Sequence, residues 1–422
     1  MLFSSLKRVT SSGKYIPEID ALRFIAIAMV VFSHISELIF RQPQSFFIQN
    51  KSNYSGLHSW MSHGFFGVDI FFAISGFILA LPFAESLRNG STFPSLRSYF
   101  RRRLTRLEPP YVISLFIFFI ALLLLKIHSF QELWKSFLAS LFYSHNFLHD
   151  RSFLPLINNV TWSLEVEIQF YILAPFLMIL LYKIKQAQYR KILLMVLILS
   201  LSALTKFTKP QYISLYEYFH FFLIGILICE YFLDKNFLAS PERNDFLRST
   251  FLLPVLACIM IGMKHTDITY MGSMHPSLKV LLSTLQLLLL ILFFYLILIK
   301  GWGSLFTRSS LICIIGGMCY SIYLLHNPII QGLSHLMFNV YHDNSFPKTF
   351  IQYTAILVSA VMMVSTLFFI FLKTIYVKKI QEQHEINDFQ IVPQIQNDSG
   401  LFQVEAWCGI FVTSSFDLIY FS

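Results

Sequence analysis

The sequence predicts an all-α integral membrane protein with about ten transmembrane helices and both termini in the cytoplasm. Three observations carry that expectation. Of 422 residues, 55% are apolar, Phe alone occurs 46 times and only 13% are charged, a balance that no soluble globular domain needs. The apolar residues gather into runs of the length a helix requires to cross a bilayer, about 20 residues. The basic residues then fall unevenly between those runs. With the N-terminus inside, 21 Lys and Arg lie in inner segments and nine in outer ones, the bias that marks cytoplasmic loops.

The first run, 16–39, follows Lys7, Arg8 and Lys14 without a cleavage-site pattern. Residues 1–15 are therefore read as a cytoplasmic segment, and the first span as its own targeting signal. The second run, 64–83, is rich in glycine. The third, 111–127, starts behind Pro109 and Pro110, residues suited to the first turn of a helix. Runs at 163–182, 191–207, 212–233, 250–264, 277–299, 311–330 and 348–372 complete the ten, the fifth and seventh being short or weakly apolar. The whole reads as one multi-span domain over 16–380 in the inner (plasma) membrane. Residues 381–422 turn polar and close on AWCGIFVTSSFDLIYF, too short and too polar for a span, so they are taken as a cytoplasmic tail.

A charged group inside a span costs at least ~2.5–3.5 kcal/mol on the insertion scale, so each one is a functional hypothesis. In RFIAIAMVVFSH, Arg23 and His34 stand eleven residues apart, which is almost three turns and about 16 Å along one face. Asp20 and Glu37 extend that stripe. A snorkelling arginine and a packed histidine are the plain alternatives. In GFFGVDIFFAISGF, Asp69 shares a face with Gly76, and Gly64, Gly67, Ser75 and Gly76 would admit a neighbouring helix closely. Asp69 is also a natural partner for Arg23 or His34.

SLRSYFRRRLTRLEPPY places Arg97, Arg101, Arg102, Arg103 and Arg106 in one inner loop. Lysines would anchor topology as well, so the choice of arginine favours a grip on phosphate. In NNVTWSLEVEIQFYILAPF, Glu165 and Glu167 are two apart and face opposite ways on a helix. Glu167 shares its face with Ser163, Phe170 and Tyr171 and is expected to be the inward carboxylate, able to orient an imidazole. CYSIYLLHNPII adds a second intramembrane histidine, His326, beside Tyr320 and Tyr323; an interfacial aromatic belt reads it equally well.

Several function classes are excluded. The net charge of +9 follows the topology and forms no soluble basic face, so nucleic acid is not an expected partner. Cys229, Cys258, Cys313, Cys319 and Cys408 have no CxxC spacing and read as small packing residues, with no metal site expected. The sequence holds no GxxxxGK[ST], GxSxG or HExxH pattern.

Taken in order, these stretches resemble the membrane acyltransferase-3 family. IDALRFIAIAMVVFSH is similar to its first-span motif with Arg23 and His34, GVDIFFAISGF to its second-span motif, and YFRRRLTRLEPPY to its arginine-rich loop. TWSLEVEIQFYILAP is similar to its Trp-Ser-Leu motif, carrying Trp162, Ser163 and Gln169, and YSIYLLHNP to its late Tyr-Ser-x-Tyr-Leu-x-His block. The likeness fails at FLKTIYVKKIQEQ, where the family's closing Ile-Glu-x-Pro segment is missing.

The resemblance implies an O-acyltransferase that moves an acyl group, in particular acetyl, from cytoplasmic acyl-CoA to a hydroxyl of a cell-envelope carbohydrate. O-antigen, exopolysaccharide and lipid-linked glycans are acceptors of that kind. Acyl-CoA would be a co-substrate, with no bound cofactor, and membrane lipids would surround the domain. Arg23, Arg101, Arg102, Arg103 and Arg106 would hold the donor phosphates, and His34 would act as general base, with Glu167 or Asp69 holding its tautomer. The rival reading is a secondary transporter or flippase with the same charges as an ion or substrate path, against which stands the lack of matching halves with broken helices.

Overall fold

The computed structural model describes residues 15–41, 58, 60–208, 210–234, 275–338 and 346–391. The expected span at 250–264 and the tail beyond 391 lie outside them. The chain divides into two units, Met1–Ile370 and Phe371–Ser422. Of the second unit, only the end of the last helix, up to Ile391, is described.

Thirteen α-helices occur among the described residues. The first half holds α1 (Pro17–Arg41), α2 (Phe66–Asn89), α3 (Leu96–Leu124), α4 (Phe130–Leu141), the single turn α5 (His145–Leu148), α6 (Trp162–Leu181) and α7 (Ala187–Phe207). The second holds α8 (Leu215–Phe232), α9 (Pro276–Leu298), α10 (Ser304–Thr307), α11 (Ser310–Gly317), α12 (Cys319–Phe338) and α13 (Phe346–Ile391). Among the described residues seven helices are long and apolar enough to cross a membrane, or eight if α11 and α12, bent by 68° at their junction, count as one broken span. This makes the chain a multi-pass, all-α membrane protein; the described residues account for seven or eight of the ten expected spans, and the one at 250–264 lies outside them. The expected span at 191–207 does form a helix, α7, with Arg190, Lys191 and Lys206 at its two ends, but it is not among these seven.

The arginine-rich segment is the clearest departure from expectation. It is no loop: α3 begins at Leu96, fifteen residues ahead of the expected start at 111, and runs unbroken through Pro109 and Pro110. The Ser95 hydroxyl caps it by accepting the Ser98 N–H at 3.3 Å, and arginine is itself a good helix former.

Glycine sets how closely the helices approach. A Cβ on Gly76 would meet the Phe222 carbonyl oxygen at 2.0 Å, and one on Gly225 would meet the Ala73 carbonyl oxygen at 1.9 Å, so α2 and α8 interlock backbone to backbone. Gly64 and Gly67 do the same against Met29 and Ala26 of α1. One apolar cluster gathers between α2, α6, α8 and α9 around Phe77, Phe170, Phe222 and Phe294. A second joins α1 and α12 to the start of α13 through Ile35, Ile39, Ile322 and Leu357. Between these clusters α1, α3, α6 and α12 turn polar side chains toward one another.

Candidate functional site

At one end of α1 Asp20 accepts a hydrogen bond from Arg23 Nη1 at 2.6 Å, and both residues are buried. Arg106 lies within electrostatic reach of Arg23 and Arg103, and of Tyr171 on α6. Arg103 stands over the Tyr99 ring, 5.9 Å from its centre. Positions 99, 103 and 106 follow the helical repeat; Tyr99 is buried and Arg103 half-buried, while Arg97, Arg101, Arg102 and Arg106 are exposed. Arg106 in the field of both Arg23 and Arg103, with Asp20 and Glu167 as the nearby carboxylates, leaves an excess of positive charge suited to an anion.

The next layer centres on Glu167. It accepts the Tyr171 hydroxyl at 2.5 Å and the Ser75 hydroxyl of α2. Tyr99, Tyr320 and Tyr323 lie within its field. Tyr320 donates to the Leu107 carbonyl at 3.1 Å, tying α12 to α3. Tyr323 donates to the Val160 carbonyl at 2.5 Å and stands 2.9 Å from the Ser163 hydroxyl.

Glu165, expected to face away from the bundle, is fully buried, whereas Glu167 is half-buried. Glu165 accepts the Asn146 N–H at 2.8 Å and so holds the single turn α5. The pair does point in different directions, but both directions lead into protein. Gln169 is structural as well: its carbonyl oxygen accepts the Leu215 N–H at 2.8 Å at the start of α8.

At the far end of the α1 stripe His34 and Glu37 open on a cavity of about 360 Å³, whose other walls include Phe65, Asn159, Trp162, Asn327 and Gln331. The His34 ring packs edge-on against Phe65 at 5.1 Å and beside the His326 ring at 5.2 Å. The walls are braced by asparagine: Asn158 donates to the Leu324 carbonyl at 2.8 Å, and Asn327 donates to the Asn159 side chain. Ser33, next to His34 in sequence, turns away to the Ser62 carbonyl at 3.0 Å.

Among the described residues no carboxylate is hydrogen-bonded to His34, whose ring neighbours are His326 and Phe65. Asp69 is buried in α2 within the field of Tyr218, whose ring packs on Trp162 at 5.4 Å. Thus Arg23, Arg103 and Arg106 meet at one end, His34 and His326 at the other, and Glu167 stands between. Tyr99, Asn158 and Asn159 join this arrangement beyond the residues the sequence singles out. The regular step from Tyr99 to Arg103 to Arg106, and the Asn-Asn pair just ahead of Trp162, were the available signals.

The acyltransferase domain that defines the acyltransferase-3 family matches residues 16–375 of this chain. The chain belongs to the acyltransferase-3 family. A Staphylococcus aureus (strain COL) protein with a provisional O-acetyltransferase name is 29% identical over 177 residues, 40% of this chain and 25% of that protein. The peptidoglycan O-acetyltransferase OatA of Listeria monocytogenes is 28% identical over 194 residues, 43% of this chain and 27% of its own length. The O-acetyltransferase OatA of Staphylococcus aureus is 27% identical over 199 residues, 45% of this chain and 29% of its own. The match thus spans little more than a quarter of these relatives. No solved structure matches this acyltransferase-3 chain. The family domain begins at the start of α1 and ends within α13, so it contains both the arginine end and the histidine end.

Proposed function

We propose that the protein is a membrane O-acyltransferase that carries an acyl group from acyl-CoA in the cytoplasm to a hydroxyl of a cell-envelope carbohydrate. The observation that supports this best is the position of His34, on the wall of a cavity lined by both amides and aromatic rings. Asn159, Asn327 and Gln331 can bond sugar hydroxyls, while Phe65 and Trp162 offer flat faces to the C–H side of a pyranose. The O-acetyltransferase names of the relatives support acetyl as the group moved.

In this reading the donor phosphates rest on Arg103, Arg106 and Arg23, with the flexible arm of CoA running past Glu167, Tyr171 and Tyr320 toward the histidines. His34 takes the proton from the acceptor hydroxyl as its oxygen attacks the thioester carbonyl. The C–O bond forms, the C–S bond breaks, and the departing thiolate receives the proton from His34. Arg106 is the exposed arginine of this helix that lies in the field of Arg23 and Tyr171, whereas Arg101 and Arg102 anchor the cytoplasmic end.

Membranes containing the protein are expected to release free CoA thiol from acetyl-CoA when a glycan acceptor is supplied; no acceptor-dependent release would overturn the reading. The same assay separates it from a transporter, a class for which the broken α11–α12 span is a familiar device. Replacing Arg103 and Arg106 together by Lys keeps the charge but removes the planar fork. The KM for acetyl-CoA should rise about ten- to a hundredfold, the worth of one or two charge-assisted hydrogen bonds. The double Lys variant of Arg101 and Arg102 should leave it unchanged.

A further inference from the structure

We infer that His326 is the group that holds His34 in the tautomer base catalysis needs, so that the site runs on a pair of histidines where a histidine and a carboxylate were expected. The inference rests on the reading of His34 as the base.

The carboxylates are otherwise engaged. Glu167 accepts from Tyr171 and Ser75, Asp69 lies in the field of Tyr218, and Glu37 faces His58 at 3.8 Å. His326 is fully buried, and its Nδ1 lies 2.8 Å from the Tyr323 carbonyl and 3.1 Å from that of Ile322. A carbonyl has no proton to give, so Nδ1 carries the hydrogen. In the neutral ring Nε2 then presents a lone pair, and among the described residues nothing hydrogen-bonds to it. A buried acceptor left unmet is costly and calls for a donor.

The ring of His34 is the neighbour that can supply one. It stands 5.2 Å away, centre to centre, inclined by 52°. The terminal torsion of a histidine is broad, so a turn of the His34 ring brings an N–H to Nε2 of His326. The other nitrogen of His34 then offers its lone pair to the cavity. When His34 takes the acceptor's proton, the N–H toward His326 is retained and the new charge is shared with a group that accepts it. His326 is itself held in register, since Tyr323 is bonded to the Val160 carbonyl at 2.5 Å and Asn327 to Asn159. His326 never meets the substrate in this arrangement, which makes it a positioning residue.

Two conservative variants separate the acceptor from the ring. In His326→Gln the amide oxygen can occupy the place of Nε2. In His326→Asn the side chain reaches only as far as Nδ1, keeping the tie to the backbone and losing the acceptor. With acetyl-CoA and a glycan acceptor, His326→Gln should keep kcat within about tenfold of the wild type, and His326→Asn should lose about a hundredfold or more. The KM for acetyl-CoA should be unchanged in both. Equal kcat values in two folded variants, whether both high or both low, would overturn the assignment. If His326→Asn does not accumulate, a loss beyond a hundredfold in His326→Gln at unchanged KM overturns it. His34→Ala run in parallel distinguishes the two levels: normal transfer by that variant removes the base and the pairing with it, whereas an inactive His34→Ala beside indistinguishable His326 variants removes the pairing alone.

Discussion

His34→Ala is expected to give an inserted, folded protein whose transfer rate is lower by about two to four orders of magnitude, the share that a positioned general base contributes. Insertion should not suffer, because deleting a polar group from a span lowers the cost of placing that span in lipid. The side chain also borders a cavity, so its removal enlarges an existing space and opens no new void in packed apolar core. The KM for acetyl-CoA should stay constant, since the donor end lies about 16 Å away along α1. Acylation of surface polysaccharide, followed by mass spectrometry in cells with matched protein levels, reads the effect. Normal acylation by a well-expressed variant would remove His34 from the mechanism.

Gly225→Val should cost the fold itself. Its Cβ would lie 1.9 Å from the Ala73 carbonyl oxygen and 2.5 Å from the Phe77 backbone nitrogen, and neither backbone atom can step aside. The helices α2 and α8 would have to separate, pulling Ser75 from Glu167 and loosening the stacked Phe170 and Phe222, whose ring centres are 4.0 Å apart. Overpacking of a tight core costs about 1–3 kcal/mol even where side chains can give, and here they cannot. Little monodisperse protein should be recovered in detergent, and the remainder should melt well below wild type. Gly332→Val is the control: a Cβ there meets nothing within 4 Å, so stability should be unchanged.

The stripe on α1 was legible because it depends on one helix alone. The eleven-residue step from Arg23 to His34 fixes their common face whatever the neighbours do, and the structure places the two ends of that face in two distinct polar clusters. Gly64, Gly67 and Gly76 were legible for a similar reason, since small residues at regular spacing mark close approach before the partner helix is known. What the sequence hid depends on partners. Two carboxylates on opposite faces of α6 could not be told apart, because which of them meets α2 and which meets α5 is set by packing.

The arginine segment read as a loop because two prolines close it, but α3 absorbs both. The sequence points to an acid as the partner of His34, whereas the residue beside it is another imidazole from a helix nearly 300 positions away. Gly225, within FLIGIL, shows in the sequence only as the small residue in an otherwise bulky run.

The separation of the arginine end from the histidine end also has an electrical consequence. Moving one elementary charge across a membrane costs or yields about 2.3 kcal/mol for every 100 mV, and the phosphates of CoA carry several. If they stay on Arg103 and Arg106 while only the acyl group reaches His34, what crosses is neutral, and the reaction does no work against the potential. Turnover should then be indifferent to voltage in sealed vesicles, which sets this arrangement apart from any in which the whole donor travels.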